Sequence, residues 1–325
     1  MLRILSLGAG VQSSAVLLMS CRGVLPKLDH AIFADTQWEP PEVYDQLAFL
    51  TREAEAAGIP VHVVTAGNLR EHVLDAAEGR AKRCSKPPLY VRGDDGRQQI
   101  LQRDCSRDFK VRVIERKAKE LAGLKPGATR PREVVVEQWL GISADEVQRM
   151  KVSTESWLRI WHPLIEGPYP EGLDPIEPLP EPDRSEVDAF AAKLRAALGD
   201  DYEVADPVLL HDPRTPKRAH APLRDQALTR DDCVRWMAEN GYPPAPKSAC
   251  IGCPYHSDAA WRALRQRPDL WADVCDFDRR ARTIPGVRGE GGAFLHRSLV
   301  PLAEAPIDRD EPGQQALECS GGCFL

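Results

Sequence analysis

The sequence predicts an α/β fold: a parallel sheet flanked by helices, with a C-terminal cysteine-bearing helical region. Two observations carry this. Short apolar segments of strand length alternate with helix-length segments from the first residues onward. Later in the chain, Cys250 and Cys253 stand in a loop rich in Gly and Pro, with helical pattern on both sides.

Leu2–Leu7 reads as a short buried strand, and residues 13–21 as an apolar helix. A strand at 30–34, a helix at 41–57 and a strand at 61–64 follow, with Gly58-Ile59-Pro60 as the helix stop. Strands joined through helices predict parallel pairing with right-handed crossovers, and ligands bind such sheets at the carboxyl ends of their strands. Residues 81–99, dense in Arg, Lys, Pro and Gly, read as a mobile loop, 109–122 as a cationic helix and 134–141 as a strand. Ser143 and Glu146 form a capping-box pattern opening a short helix. Residues 166–182 hold six prolines and lead into an amphipathic helix at 184–198, an inserted surface excursion. Thr229 caps a helix ending near Asn240, with Asp231 and Asp232 in its first turn and Gly241 as its stop. A helical region at 256–282 and an extended segment at 293–302 complete the chain.

With 325 residues, 42% hydrophobic and 28% charged, the chain can form one large α/β domain with appendages or two modest ones. No apolar run approaches the ~20 residues that span a bilayer, and no signal-peptide core precedes Gly8 and Gly10. The expectation is a cytoplasmic protein with no membrane partner. A net charge of −6 argues against a general nucleic-acid binder, although residues 103–119 form a local basic stretch. Nine cysteines in a cytoplasmic chain are not expected to be structural disulfides. Cys21 and Cys233 sit among helical apolar residues and are expected to pack; Cys105, Cys250, Cys253, Cys319 and Cys323 require chemistry.

Ser6-Leu7-Gly8-Ala9-Gly10-Val11-Gln12-Ser13-Ser14 joins the first strand to the first helix. Its glycines let backbone N–H groups approach a phosphate, the helix N-terminus adds partial positive charge, and Ser13 and Ser14 offer hydroxyls. No Gly-Lys-Ser/Thr follows, and Ser13 stands where a dinucleotide fingerprint has its third Gly. Asp35 and Thr36 lie at the carboxyl end of the second strand, within Phe33-Ala34-Asp35-Thr36-Gln37-Trp38-Glu39-Pro40-Pro41-Glu42-Val43-Tyr44.

With these two elements the chain resembles the PP-loop (adenine nucleotide alpha-hydrolase-like) superfamily, in its phosphoadenylyl-sulfate reductase-like branch. That family reads Ser-Gly-Gly-x-Asp-Ser in its loop; here Gly8 replaces the first Ser, Ala9 a Gly and Gln12 the Asp. The family's Asp-Thr with a downstream Pro-Glu-x-Tyr is matched by Asp35-Thr36 and Pro41-Glu42-Val43-Tyr44. Gly141-Ile142-Ser143-Ala144-Asp145-Glu146 with Arg149 is similar to its Gly-Ile-Arg element, and His162-Pro163-Leu164 to its Tyr-Pro-Leu. The resemblance covers most of the chain outside the insertion and implies a Rossmann-like HUP/PP-loop fold.

Cys250-Ile251-Gly252-Cys253 places two thiols at a spacing that holds one metal ion or one cluster. Cys105, among Arg103, Arg107 and Lys110, is the best third ligand, and the resemblance supports it, because cluster-bearing members carry cysteine at matching places. Three thiolates on a 4Fe–4S cluster would leave one iron open to sulfide or substrate sulfur; Arg103, Arg107 and Lys110 would offset cluster or phosphate charge. A zinc knuckle of Cys250, Cys253, His256 and Cys105 is the alternative, with Cys84 as an outside candidate for either site or a redox-active thiol. The Gly-rich tail carries Cys319 and Cys323 as candidate nucleophiles or sulfur carriers, Glu318-Cys319 resembling the Glu-Cys-Gly end of the family's reductases; either Cys could instead supply a fourth cluster ligand. His296-Arg297-Ser298 reads as a surface turn, with a phosphate contact as the alternative, and Trp236 and Trp261 as core rather than nucleobase platforms.

The expected organisation is a nucleotide-binding PP-loop domain over 1–165, a Pro-rich and helical insertion over 166–205, and a cysteine-bearing region over 206–325 packed on the same domain. The expected function is ATP-dependent sulfur transfer through an adenylated intermediate. ATP or a related adenine nucleotide and Mg²⁺ would bind at Ser6, Leu7, Gly8, Gly10, Gln12, Ser13, Ser14, Asp35, Thr36, Arg107 and Lys110. A 4Fe–4S cluster would bind at Cys105, Cys250 and Cys253, with zinc as the alternative metal. A sulfonucleotide reductase using Cys319, and a non-enzymatic nucleotide or redox sensor, are the competing readings. Expected partners are a sulfur donor or thiol reductant and an acceptor such as a tRNA or nucleobase, with a homodimer as one option.

Overall fold

Ile4 on one side of the first strand and Leu5 and Leu7 on the other are all fully buried, the mark of a strand covered on both faces. In this computed structural model the described residues are 1–93, 95–127, 129, 131–143, 146, 155–162, 208–212, 215–220, 228–285, 287 and 291–308. Five parallel strands form the central sheet: β1 (Leu2–Leu7), β2 (His30–Asp35), β3 (Val61–Thr65), β6 (Val136–Leu140) and β7 (Leu158–Trp161). Their order is β3-β2-β1-β6-β7. β1 pairs with β2 on one side, Leu5 opposite Ala31, and with β6 on the other, Leu5 opposite Trp139. The order reverses between β1 and β6, so the crevice beyond their carboxyl ends is the topological switch point where ligands bind such sheets.

α1 (Val11–Cys21) and α2 (Pro41–Ala56) cover one face together with α6 (Arg230–Glu239). α2 starts on Pro41, which needs no N–H partner at that position. The other face packs Ile4 and Ile32 against Val113, Ile114 and Ala118 of α5 (Arg112–Leu121). A separate apolar cluster joins α3 (Leu69–Ala77), α7 (Asp258–Arg265) and α8 (Pro268–Arg280) around Trp38, Trp261 and Phe277. Thr229 caps α6 in a reciprocal capping box with Asp232, and Gly241 follows at φ +76°. Cys233 is fully buried and Cys21 packs on the same cluster.

Several elements differ from the sequence expectation. The basic stretch at 81–99 is no simple loop: β4 (Tyr90–Arg92) pairs with β5 (Gln98–Ile100) and with β10 (Ala293–Phe294), strands too short to leave a period. The helix expected from residue 109 begins earlier, as α4 (Asp104–Ser106), and passes through a π turn (Arg107–Val111) into α5. The helical region at 256–282 is broken before Pro268, which cannot donate to the preceding turn. Only Ala293–Phe294 of the expected 293–302 segment is strand. β7 and a hairpin of β8 (Val208–Asp212) and β9 (Thr215–His220) were not foreseen. The insertion at 166–205, with its helix at 184–198, lies outside the described residues. No helix among the described residues is long and apolar enough to cross a membrane.

Candidate functional site

The chain leaves β1 through a turn that places Ala9 at φ +55°, a left-handed conformation in a residue with a Cβ. Gly8 N–H donates to Ser13 Oγ at 3.2 Å, and that hydroxyl donates to the Gly10 carbonyl at 3.3 Å. Ser14 N–H then opens the helical ladder on Gly10 O at 2.9 Å. Between these bonds, the N–H groups of Ala9, Gly10, Val11, Gln12 and Ser13 meet no acceptor among the described residues. Ala9, Val11 and Ser13 are buried. Buried amides of this kind require a partner, and a run of them at a helix N-terminus suits an anion.

Gly141, at the end of β6, closes against this turn. A Cβ there would stand 2.5 Å from Ser13 N and 2.9 Å from Gln12 C, so only glycine fits. Gln12 Nε2 donates to Glu146 Oε2 at 3.0 Å and to Ser143 Oγ at 3.3 Å. The expected capping-box pair therefore faces the glycine turn. Glu146 thereby brings a carboxylate beside the glycine turn. Asp145 and Arg149 lie outside the described residues.

At the end of β2, Asp35 Oδ1 accepts from Gln37 N–H at 2.7 Å and from Tyr44 OH at 2.9 Å. Gln37 is left-handed, at φ +56°. Burial and then the Asp35 hydrogen bond push the Tyr44 phenol well above its ordinary range, so it stays a donor. Thr36 is fully buried, and its hydroxyl donates to Glu39 Oε1 at 3.0 Å and lies 3.3 Å from Cys250 Sγ. Glu39 Oε1 also accepts from the Cys250 thiol at 3.3 Å and lies 3.5 Å from Lys110 Nζ. Its second oxygen, Oε2, is buried with no partner among the described residues. Burial, then Glu39, pushes the Cys250 thiol well up, while Lys110 and Thr36 oppose them.

The cysteine loop is held by Trp38. Ile251 N–H donates to Trp38 O at 2.9 Å, and the indole N–H bonds Asp273 Oδ2 at 2.8 Å. Cys105, Cys250 and Cys253 line one cavity of about 60 Å³, with Arg103, Lys110 and Lys247 in its wall. The glycine turn does not line this cavity but backs onto it: a Cβ at Gly10 would stand 3.2 Å from Ser248 Cβ, and Ser248 lines the cavity. Cys105 arrives through α4, where its N–H donates to Lys86 O at 3.1 Å. The π turn that follows buries both Phe109 and Lys110, and such turns recur at functional sites.

Three thiols with cations around them match the donor chemistry of an iron–sulfur cluster. The side chains as placed do not close on it: among the described residues, no three His, Cys, Asp or Glu side chains form a group that could hold a metal ion. His256, the fourth ligand of the zinc alternative, is turned to the loop itself. Its Nε2 lies 3.1 Å from Cys250 O and 3.2 Å from Ile251 O, and its ring stands edge-on to Trp261. Cys84 packs in the neighbouring apolar cluster, its thiol pushed to about 11 by burial.

The remaining expected residues divide clearly. Gly8, Gly10, Gln12 and Ser13 form the turn, while Leu7 is core. Ser6 Oγ accepts from Gln138 Nε2 at 2.7 Å and Ser14 Oγ from Gln46 Nε2 at 3.3 Å, so both hydroxyls face inward. Arg107 is exposed and paired with Asp104 and Asp108, away from the cavity lining. Cys319 and Cys323 lie outside the described residues. His296 and Arg297 are not a surface turn: both bond Asp258, which is 2% exposed, and pin the 293–298 segment to α7. Glu39 was missed; its place three residues after Thr36 at a strand's carboxyl end was the available signal.

Fold and site together define an α/β protein of Rossmann-like arrangement with an anion-receptive turn beside a thiol-lined cavity. No model of a known protein family matches the chain, and no curated protein is significantly similar to it.

Proposed function

We propose that the chain is an adenine-nucleotide-dependent sulfur transferase of the PP-loop type. The observation that carries the reading is the convergence of Cys105, Cys250 and Cys253 on one cavity that abuts the glycine turn through Ser248 and reaches β2 through Thr36. Phosphates of ATP, with Mg²⁺ offsetting their charge, bind the unpaired amides of residues 9–13. A carbonyl oxygen of the acceptor attacks the α-phosphorus, and pyrophosphate leaves. Sulfur from a hydrosulfide-type donor then attacks the activated carbon; AMP departs with the oxygen, and the proton on sulfur is lost. Lys110 and Arg103 stabilise anionic sulfur at the cavity wall, and Thr36 and Glu39 hold Cys250 in place. Cys105, Cys250 and Cys253 would hold the cluster, which when bound supplies an iron site for sulfide. In the alternative route a persulfide donor would load Cys319, the outer sulfur of that persulfide would attack the activated carbon, and Cys323 would release it by forming a disulfide with Cys319 that a thiol reductant reopens.

ATP radiolabelled on the α-phosphate, supplied with sulfide and bulk tRNA, should yield AMP; absence of AMP with every thiolation acceptor tried would end the reading. Release of sulfite from adenylyl sulfate would point to the reductase chemistry instead. Anaerobic purification with a visible spectrum and iron, sulfide and zinc analysis decides the metal independently of any substrate.

A further inference from the structure

The face of the sheet that α5 covers is built from apolar side chains: Ile4, Ile32 and Ala34 meet Val113, Ile114 and Ala118 there, with Val64 beside them. At its amino edge stand two histidines. His30, which opens β2, pairs across from Ile4, and His62 of β3 pairs across from Ile32, so both rings share the α5 face. His62 Nε2 lies 3.2 Å from His30 Nδ1, with the ring planes 58° apart. Both residues are half-buried, so solvent reaches the pair.

That separation is the bite of a metal chelate. Two nitrogens bound at about 2.0–2.1 Å to one tetrahedral ion stand about 3.3–3.4 Å apart, so a small rotation of each ring admits an ion. Imidazole nitrogen favours Zn²⁺, Ni²⁺ or Cu²⁺ over Mg²⁺ and Ca²⁺. Burial first, then Lys117 and His30, lower the pKa of His62, whereas Glu120 opposes them. A neutral ring keeps the lone pair that a metal needs. Glu120 lies in the last turn of α5, exposed and bonded to Lys117 Nζ at 2.7 Å. As placed, the histidines have no third His, Cys, Asp or Glu ligand among the described residues. Rotation of Glu120 from Lys117 toward His62 supplies one, and water completes the set.

We infer that His30 Nδ1 and His62 Nε2, joined by Glu120, bind a nitrogen-preferring divalent cation of the Zn²⁺ class at a site separate from the cysteine cavity. His30 precedes Asp35 by roughly 16 Å of strand, which puts the ion at the opposite end of the sheet from the glycine turn. When the ion enters, the proton shared by the two rings passes to the far nitrogen of its own imidazole, and no net proton is released. The ion acts as a brace. β3 is an edge strand, and α5 continues the helical run that begins with Cys105 and Lys110, so the ion ties the end of that run to the sheet edge.

Ethoxyformylation of histidines in the full chain, read by peptide mapping, tests the site residue by residue and is blind to zinc on the cysteines. Micromolar Zn²⁺ should shield His30 and His62, and Mg²⁺ should not. Equilibrium dialysis should then find one equivalent of Zn²⁺ fewer on His62→Asn than on the parent. Glu120→Gln should weaken that equivalent about tenfold. Lys117→Ala, which removes a nearby cation and frees Glu120, should tighten it. The inference is overturned if the pair is modified at one rate with and without Zn²⁺ or is shielded equally by Mg²⁺. It is overturned also if a His62→Asn protein with the parent's circular dichroism binds as many equivalents, or if neither Glu120→Gln nor Lys117→Ala changes the affinity. The sulfur-transfer reading stands or falls separately, because the cysteines are intact throughout.

Discussion

Gly252 lies flat against the indole of Trp38: a Cβ at residue 252 would stand 2.0 Å from Cη2 and 2.6 Å from Cζ3 of that ring. The small residue between the two cysteines is thus dictated by a side chain at the end of another strand. Trp38 is itself buried and tied to Asp273, so it cannot swing aside freely.

Gly252→Ala should therefore cost about 1–3 kcal/mol, the usual penalty of overpacking. Urea denaturation of the two proteins measures it. Equal midpoints would show that the indole yields without cost.

Gly141→Ala meets backbone, which has less freedom than a side chain. The added methyl collides with Ser13 N and Gln12 C and displaces the glycine turn. Affinity for an adenine nucleotide should fall about tenfold, the worth of one charge-assisted hydrogen bond. Calorimetric titration with a non-hydrolysable ATP analogue reports this directly, and unchanged affinity would place the nucleotide elsewhere.

Glu39 joins Thr36, Cys250 and Lys110 within the structure, and its side chain is 1% exposed. Glu39→Ala should destabilise the fold by about 3 kcal/mol, as expected when one partner of a buried ion pair is removed. Glu39→Gln, which keeps the shape and one acceptor, should lose less. A denaturation series in which both variants match the parent would show that the carboxylate is dispensable.

Thiol reactivity should be graded by burial. The Cys84 and Cys275 thiols are raised to about 11, chiefly by burial, and Cys250 is raised as well. At about pH 8, Cys84 and Cys275 should be roughly one-thousandth thiolate and alkylate about a hundredfold more slowly than an exposed thiol of ordinary pKa. Peptide mapping after brief iodoacetamide treatment of metal-free protein provides the readout. Labelling of Cys250 as fast as free glutathione would contradict its hydrogen bond to Glu39.

His256 is lowered from 6.5 to about 4, mainly by burial, with Lys247 adding to the effect. Between these values the unfolded chain binds a proton that the folded chain does not, so stability rises with pH across that window. Acidification from about pH 6.5 to 4 should remove about 3 kcal/mol from this group. His256→Asn should flatten that part of the stability profile, and an unaltered slope would mean that other groups control it.

Much of this site lay in local patterns. The glycine turn follows an apolar strand and opens a helix, and Asp35-Thr36 ends the next strand; both are short-range features that survive reading in one dimension. Glu39 is different. Its contact with Cys250 spans 211 residues, and nothing beside it in the sequence marks it as buried. The sequence puts Arg107 and Lys110 on equal terms, as two cations to offset nucleotide or cluster charge. A π turn, which adds a residue to a helical repeat and breaks the expected period, buries Lys110 while Arg107 stays exposed. Ser6 and Ser14 stand in the right stretch but bond inward, because strand and helix geometry orient them toward Gln138 and Gln46.

The sequence alone determined the alternation of strand and helix, the parallel sheet and the glycine turn at its carboxyl edge, because periodicity, glycine and strand ends act over a few residues. Only the tertiary structure decided that Cys105, Cys250 and Cys253 share a cavity, that Trp38 demands glycine at 252, and that His256 serves its own loop. Those outcomes depend on side-chain packing between segments far apart in the chain, where close-packed volume and buried hydrogen bonds select one arrangement from many.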